Sequence, residues 1–158
     1  MVWIFNMMTY NGITIDDNFI VPKDAIGFTY NIYVDVSPNI PKKYWFKNYI
    51  GKKHLFSTIT VKLSNKTIAL QTGKGRKKLS EKITKESNWK NYYGSSKLLK
   101  RLSILDKSAL KRTILSFYNS KKELSYREEE LLFKHNVLLN NKFLNDNIAG
   151  KYFKKDLI

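Results

Sequence analysis

The stretch from Tyr30 to Gly51 constrains this chain more than any other. GFTYNIYV (Gly27–Val34) and YWFKNYIGKKH (Tyr44–His54) are rich in aromatic and β-branched residues, and SPNIPKK (Ser37–Lys43) between them is a Pro/Asn turn. Two such runs around a turn predict an antiparallel hairpin, because both suit a pleated, half-buried surface. Tyr30 and Tyr49 fall on opposite arms, and Gly51 is followed at once by Lys52, Lys53 and His54. Taken alone, the two tyrosines are core aromatics whose hydroxyls find a partner. Beside a cationic cluster they also suit phosphodiester chemistry.

Charge indicates what such a surface meets. The chain holds 29 Lys+Arg against 13 Asp+Glu, a net charge of +16. Residues 1–35 carry four acids and one base, Lys23, whereas residues 36–80 carry no acid and eleven Lys/Arg. This asymmetry turns one region towards a polyanion, nucleic acid first; a codon bias towards lysine would produce part of the same excess. With no cysteine and only two histidines, His54 and His135, disulfides, thiolate sites and His-rich zinc sites are excluded. A catalytic metal would therefore be a hard ion held by carboxylates and water. The 158 residues suffice for one hydrophobic core. The apolar opening MVWIFNMM is much shorter than the ~20 residues of a bilayer span and lacks the basic start of a signal peptide. The chain reads as soluble and cytoplasmic.

Other segments follow from local pattern. Asn11-Gly12 between β-formers predicts a small type I′ hairpin, a structural appendage within a leader of residues 1–26. Leu55, Ile59, Val61 and Leu63 alternate, and Thr67–Leu70 after Ser64-Asn65-Lys66 predicts a second hairpin. Gln71–Lys82 reads as a mobile basic loop. Its Gly73-Lys74-Gly75-Arg76 lacks Walker spacing, so Lys74, Arg76, Lys77 and Lys78 suit backbone phosphates instead. The basic insertion as a whole covers about 54–86. Ser95 is the expected N-cap of a helix that faces the sheet with Leu98, Leu99, Leu102 and Leu105. Leu110–Tyr118 is a strand. The spacings of Ser120–Glu123 and Ser125–Glu128 suit capping boxes for a helix that runs to about Val137.

Three successive acids on that helix can be told apart by geometry. Counting from Leu124 at 0°, Leu131, Leu132, Leu138 and Leu139 cluster between roughly −40° and +80°, and Glu128 at about 40° lies among them. Glu129 at about 140° and Glu130 at about 240° do not, although Phe133 and Val137 form a second apolar stripe near Glu130. An inward carboxylate must be paired, protonated or bound to metal. Of the histidines, His54 alone reads as a surface residue and His135 as a partly buried structural one.

Phe28-Thr29-Tyr30 and Tyr49-Ile50-Gly51 resemble the signature strands of the GIY-YIG nuclease superfamily, and specifically its small phage-type, homing-endonuclease-like members. Trp89…Tyr92-Tyr93-Gly94-Ser95-Ser96-Lys97 resembles the W-x-x-Y-x-G-S-S-K segment of those proteins. The resemblance covers about residues 27–148, leaving 149–158 as a tail. It implies an α+β fold, a three-stranded antiparallel sheet flanked by helices, here with an added N-terminal hairpin and an inserted one. It also implies a metal-dependent DNA endonuclease, used in homing or in cleaving host or competitor DNA. Under it, Tyr30 orients or deprotonates the attacking water, Tyr49 orients water or phosphate, Glu128 holds Mg²⁺ or Mn²⁺, and Asn145 follows 17 residues later as the family's Asn, with Asn147 the weaker candidate. Relatives carry a phosphate-clamping Arg where this chain has Ile59; Lys53 is the preferred substitute, ahead of Lys52, His54, Arg76 and Arg101. Duplex DNA would meet Lys52, His54, Lys74, Arg76, Lys77, Lys78, Ser95, Ser96, Lys97 and Arg101. A homodimer would pair two single cuts into a double-strand break. The alternatives are a DNA-binding protein of the same fold with decayed catalysis, or an RNA-associated basic protein without activity.

Overall fold

The structure, a computed structural model, describes residues 8–157, so the apolar opening up to Met7 lies outside the described residues. At the centre, β3 (Gly27–Val34) pairs antiparallel with β4 (Asn48–His54), setting Tyr30 opposite Gly51 and Ile32 opposite Tyr49. Phe28, Tyr30, Ile32 and Val34 alternate to one face and are all buried, as the period of a strand requires. The other side of β3 takes β7 (Leu110–Tyr118), also antiparallel. Thr29 faces Ser116 while Tyr30 faces Ile114, so Leu115 is an extra residue in the ladder. This bulge lets Ile114 and Phe117, three apart, pack into the same core as Phe28.

The leader hairpin is β1 (Thr9–Tyr10) and β2 (Ile13–Thr14), turning on Asn11 and Gly12 at φ 51° and 77°, as a type I′ turn requires. β1 lies parallel to β7 and extends the core to five strands in the order β2-β1-β7-β3-β4. β4 is therefore an edge strand. The β3–β4 connection folds back onto the core. Ile40 is buried, and the Trp45 indole N–H donates to the carbonyls of Ile40 (2.9 Å) and Ser37 (3.2 Å).

Each face of the sheet takes one helix, giving the α+β architecture expected. α2 (Lys97–Leu105) covers the Tyr30 face with Leu99 and Leu102. Its cap is Ser96, not Ser95, with the hydroxyl accepting from the Leu99 N–H. Leu105, at the last helical position, is half exposed instead of facing the sheet. α3 (Lys121–Lys134) covers the opposite face and is capped by Ser120, which accepts from the Glu123 N–H at 3.1 Å. Its approach to β3 needs Gly27, because a Cβ there would stand 2.5 Å from Leu124 Cδ2. α3 ends before Val137; Asn136 adopts φ 50°, a helix-terminating conformation. Val137 and Leu138 therefore pack on Ile50 and Leu132 from beyond the helix, while Leu139, Phe133 and His135 are exposed. The second apolar stripe beside Glu130 is not formed, and His135 is a surface residue. After it, β8 (Asn147–Ile148) and β9 (Tyr152–Phe153) form a small hairpin.

The insertion is built differently from the expectation. β5 (Phe56–Lys62) is followed not by a returning strand but by a short helix, α1 (Asn65–Ala69), because the Ser64 hydroxyl accepts from the Thr67 N–H and caps it. The partner of β5 is β6 (Ser80–Glu86), so Ser80–Lys82 is strand and not loop. Gln71 closes the intervening loop, accepting from the Lys78 N–H at 2.7 Å and donating to its carbonyl at 2.6 Å. Every residue of β5 and β6 is exposed, and the pair projects as a ribbon from the end of β4.

Candidate active site

Tyr30 lies across its neighbouring strand. A Cβ on Gly51 would stand 2.4 Å from the Tyr30 hydroxyl oxygen, so only glycine leaves room for the ring. Tyr49 stacks on Tyr30 with ring centroids 6.4 Å apart, and Tyr92 meets Tyr30 edge-on at 5.9 Å. The Lys53 ammonium caps the cluster, 4.2 Å above the Tyr92 ring.

The 89–97 segment holds this arrangement, and each of its distinctive residues has a physical task. Trp89 is buried against Phe28 and donates its indole N–H to Glu86 at 2.9 Å. Tyr92 packs on Tyr30, and Tyr93 packs under the Arg112 guanidinium at 4.1 Å. Gly94 adopts φ +89°, where a Cβ would also meet Leu99 at 2.7 Å. Ser95 hydrogen-bonds Tyr49, and Ser96 caps α2. Arg112, buried on β7, donates to the carbonyls of Lys90 (2.9 Å) and Tyr92 (3.2 Å), fixing the segment to the sheet.

Alternation puts the neighbours of Tyr49 on the opposite face of β4, under α3. Lys52 donates to the Ser125 hydroxyl at 2.8 Å and lies 3.8 Å from a carboxylate oxygen of Glu128. The backbone of Lys52 also hydrogen-bonds that carboxylate. Asn145 is fully buried and behaves as a one-residue strand partner: its Oδ1 accepts from the Ile50 N–H at 3.1 Å and its Nδ2 donates to the Ile50 carbonyl at 2.8 Å. Asn145 and Glu128 thus cover successive outward-facing backbone groups of the edge strand.

Because β4 is an edge, both faces open into one cavity of about 440 Å³, lined by Tyr49, Lys52, Ser95, Glu128, Asn145 and Asp146 among others. Of the acids, Glu130 is exposed and paired with Arg127 at 3.1 Å, whereas Glu128 faces inward as helical geometry predicts. Burial raises the Glu128 carboxyl above its usual range; Lys52 opposes this and Glu129 adds to it. Burial also pushes the Tyr30 phenol well above its usual value, reinforced by Tyr49 and Tyr92. Tyr49 is raised by burial, with the Ser95 hydrogen bond opposing. Lys53 is lowered by burial, and His54 by burial and then by Lys52, Lys121 and Lys53.

Tyr30 and Lys53 stand behind the cavity, joined to it through Tyr49 and Tyr92. Lys97 and Arg101 are exposed on α2, and Lys74, Arg76, Lys77 and Lys78 sit on the ribbon's loop, away from the cavity. Ile59 lies on β5, half exposed. Arg112, Ser125, Glu129 and Asp146 were not signalled as site residues, yet each has a legible trace. Arg112 shares the inward parity of Leu110 and Ile114; Ser125 precedes Glu128 by one helical turn; Glu129 and Asp146 adjoin named residues.

The sequence matches the family model described as "Putative endonuclease segE, GIY-YIG domain" over residues 3–148. The chain belongs to the SegE-type GIY-YIG family. No curated protein and no solved structure matches it. The family implies a nuclease acting on DNA. In this GIY-YIG domain the first signature strand reads Phe28-Thr29-Tyr30, with all three residues buried, and the second places Gly51 under Tyr30. The matched range includes the leader hairpin that completes the sheet. No helix among the described residues is long and apolar enough to cross a membrane.

Proposed function

We propose that this GIY-YIG domain is a metal-dependent endonuclease of the kind phages encode, hydrolysing phosphodiester bonds of duplex DNA at the cavity on the edge of β4. The observation that carries this reading is Glu128, an inward carboxylate held against Lys52 in a polar cavity that also contains Tyr49. Glu128 is a hard oxygen ligand that suits Mg²⁺ or Mn²⁺; no cluster of three or more His, Cys, Asp or Glu able to hold a metal is present among the described residues, so the ion would rest on this carboxylate and keep most of its waters. When bound, the ion would neutralise charge developing on the scissile phosphate and the leaving oxygen.

The chain's own groups supply the rest. Tyr30, whose phenol burial pushes well above its usual value, orients the Tyr49–Tyr92 cluster behind the cavity. Tyr49, whose hydroxyl shares a bond with Ser95, orients water or phosphate at the cavity wall. Lys53 and Lys52 bring positive charge to either face of β4, as point charges without the bidentate fork of an arginine. His54, its pKa lowered by burial and by the nearby lysines, serves as a polar neighbour on β4. Asn145 is a positioning residue: it clamps Ile50 between Tyr49 and Gly51. Ser95, Ser96, Lys97 and Arg101 approach the strand on the α2 side, and Lys74, Arg76, Lys77 and Lys78 contact phosphates farther along.

Supercoiled plasmid incubated with Mg²⁺ or Mn²⁺, against EDTA and against Glu128→Ala, tests the proposal. Nicking that needs metal and vanishes in the variant is the expected result. Absence of Arg at the Ile59 position favours one second reading, a catalytically decayed binding protein. Gel retardation without cutting under either metal would establish that one instead.

A further inference from the structure

The β5–β6 ribbon stands outside this chemistry. It continues β4 past the buried Leu55 and is fastened at its root, where Ser87 N–H donates to the Leu55 carbonyl at 2.8 Å and Ser87 Oγ to the His54 carbonyl at 2.6 Å. Beyond that root the strands pair only with each other. Their register sorts the side chains onto two unlike faces. Thr58 opposite Thr84, Thr60 opposite Lys82 and Lys62 opposite Ser80 form a polar face, with Phe56 opposite Glu86 at its root. On the other face Ile59 opposite Ile83, with Val61 and Leu79, forms an apolar patch flanked by Glu81 opposite Val61 and Lys85 opposite Ser57.

We propose that this ribbon enters the major groove of the duplex beside the cut, with the Thr58, Thr60, Lys82 and Thr84 face towards the base edges. The inference rests on the nuclease reading above and adds a groove, an element and a face to it. Charge selects the occupant. Residues 56–86 contain eight Lys/Arg against two Glu, and Glu86 already accepts from Trp89. Two such ribbons would repel each other, whereas a duplex carries the complementary charge. Dimensions agree: a two-stranded ribbon fits a major groove about 12 Å wide, and seven residues at about 3.3 Å each reach roughly 23 Å along it. Threonine hydroxyls donate and accept, so they can read either partner of a base pair. The basic loop beyond the strands, closed by Gln71, then lies against flanking phosphates. Since the ribbon and Tyr49 share one continuous strand path, what the ribbon reads would fix where the cavity sits.

The test is binding by the full chain carrying E128Q, without metal, to duplexes of about 30 base pairs, nearly three turns. One duplex is plain, and one has a bulky aryl-alkynyl group at C5 of every cytosine, filling the major groove. The expected result is about tenfold weaker binding to the filled duplex, and loss of that discrimination in a T58V/T60V/K82A/T84V background whose far-UV circular dichroism is unchanged. Equal affinity for the two duplexes, or discrimination that persists in the quadruple variant, overturns the proposal. So does loss of both discrimination and a dimer in I59T/I83T, which would make the ribbon a contact between copies. Plasmid cutting without groove discrimination removes this inference alone. Groove discrimination by a protein that never cuts removes the nuclease reading alone.

Discussion

The hydroxyl oxygen of Tyr30 occupies the space that a Cβ on Gly51 would need, 2.4 Å from its ideal position. The two residues face each other across β3 and β4, and the hydroxyl end of the ring reaches over the glycine. One signature strand thus supplies the ring and the other the gap that admits it.

Gly51→Ala should force Tyr30 off its position. Overpacking of this kind costs about 1–3 kcal/mol, read by denaturant unfolding, and plasmid nicking should fall with it. Tyr30→Phe removes the nearest clashing atom but leaves Cζ, 2.7 Å from the new methyl position. The double variant should therefore recover part of the loss, with a coupling of about 0.5–3 kcal/mol. Strictly additive effects would show that the two residues are not in contact.

Glu128→Gln should impair cutting and stabilise the fold. The folded-state carboxyl titrates above its unfolded value because burial favours the neutral form. Its stabilising contribution is therefore complete below the ordinary carboxylate range and disappears as pH rises through the folded value. Thermal unfolding from pH 4 to pH 7 should show the stability of the unsubstituted protein declining relative to that of E128Q across this window. Nicking should fall by about a hundredfold or more in E128Q. In the unsubstituted protein it should decline with acidification earlier than an ordinary carboxylate would dictate. A variant less stable than the unsubstituted protein at pH 7 would contradict the account.

Asn145→Ala leaves both the N–H and the carbonyl of Ile50 without their buried partner. Each such loss costs about 1–3 kcal/mol, so a marked drop in melting temperature is expected. Amide exchange offers a sharper check, since the Ile50 N–H should exchange faster while the centre of β3 stays protected. Unchanged exchange at Ile50 would refute the clamp.

Arg112→Lys keeps the charge but loses the planar group over Tyr93 and the reach to two carbonyls. A loss of roughly 1.5–3 kcal/mol, the scale of a hydrogen bond to a charged group, is expected. Nicking should fall although Arg112 does not line the cavity, because the segment that carries Tyr92 and Ser95 is loosened. Full activity in the lysine variant would mean that the segment holds itself.

Local periodicity determined much of this protein. The alternation in Gly27–Val34 and in Leu110–Tyr118 specifies strands from a few residues each. Rotation along α3 picks out Glu128, since neighbours on a helix are set by 3.6 residues per turn. Signals that depended on distant partners were not legible. β5 pairs with a strand beyond Gly73 and Gly75, a register that no local pattern encodes. Ser95 and Ser96 are equivalent as sequence, and only the seating of α2 on the sheet makes one the cap and the other a partner of Tyr49. Asn145 is singled out by the family resemblance, but its pairing with both backbone groups of Ile50 is visible only once the strand lies beside it. The cavity itself was decided by tertiary structure. Alternation assigns Tyr49 and Lys52 to opposite faces of β4, and they share one site because the strand order leaves β4 at the edge, where the two faces meet.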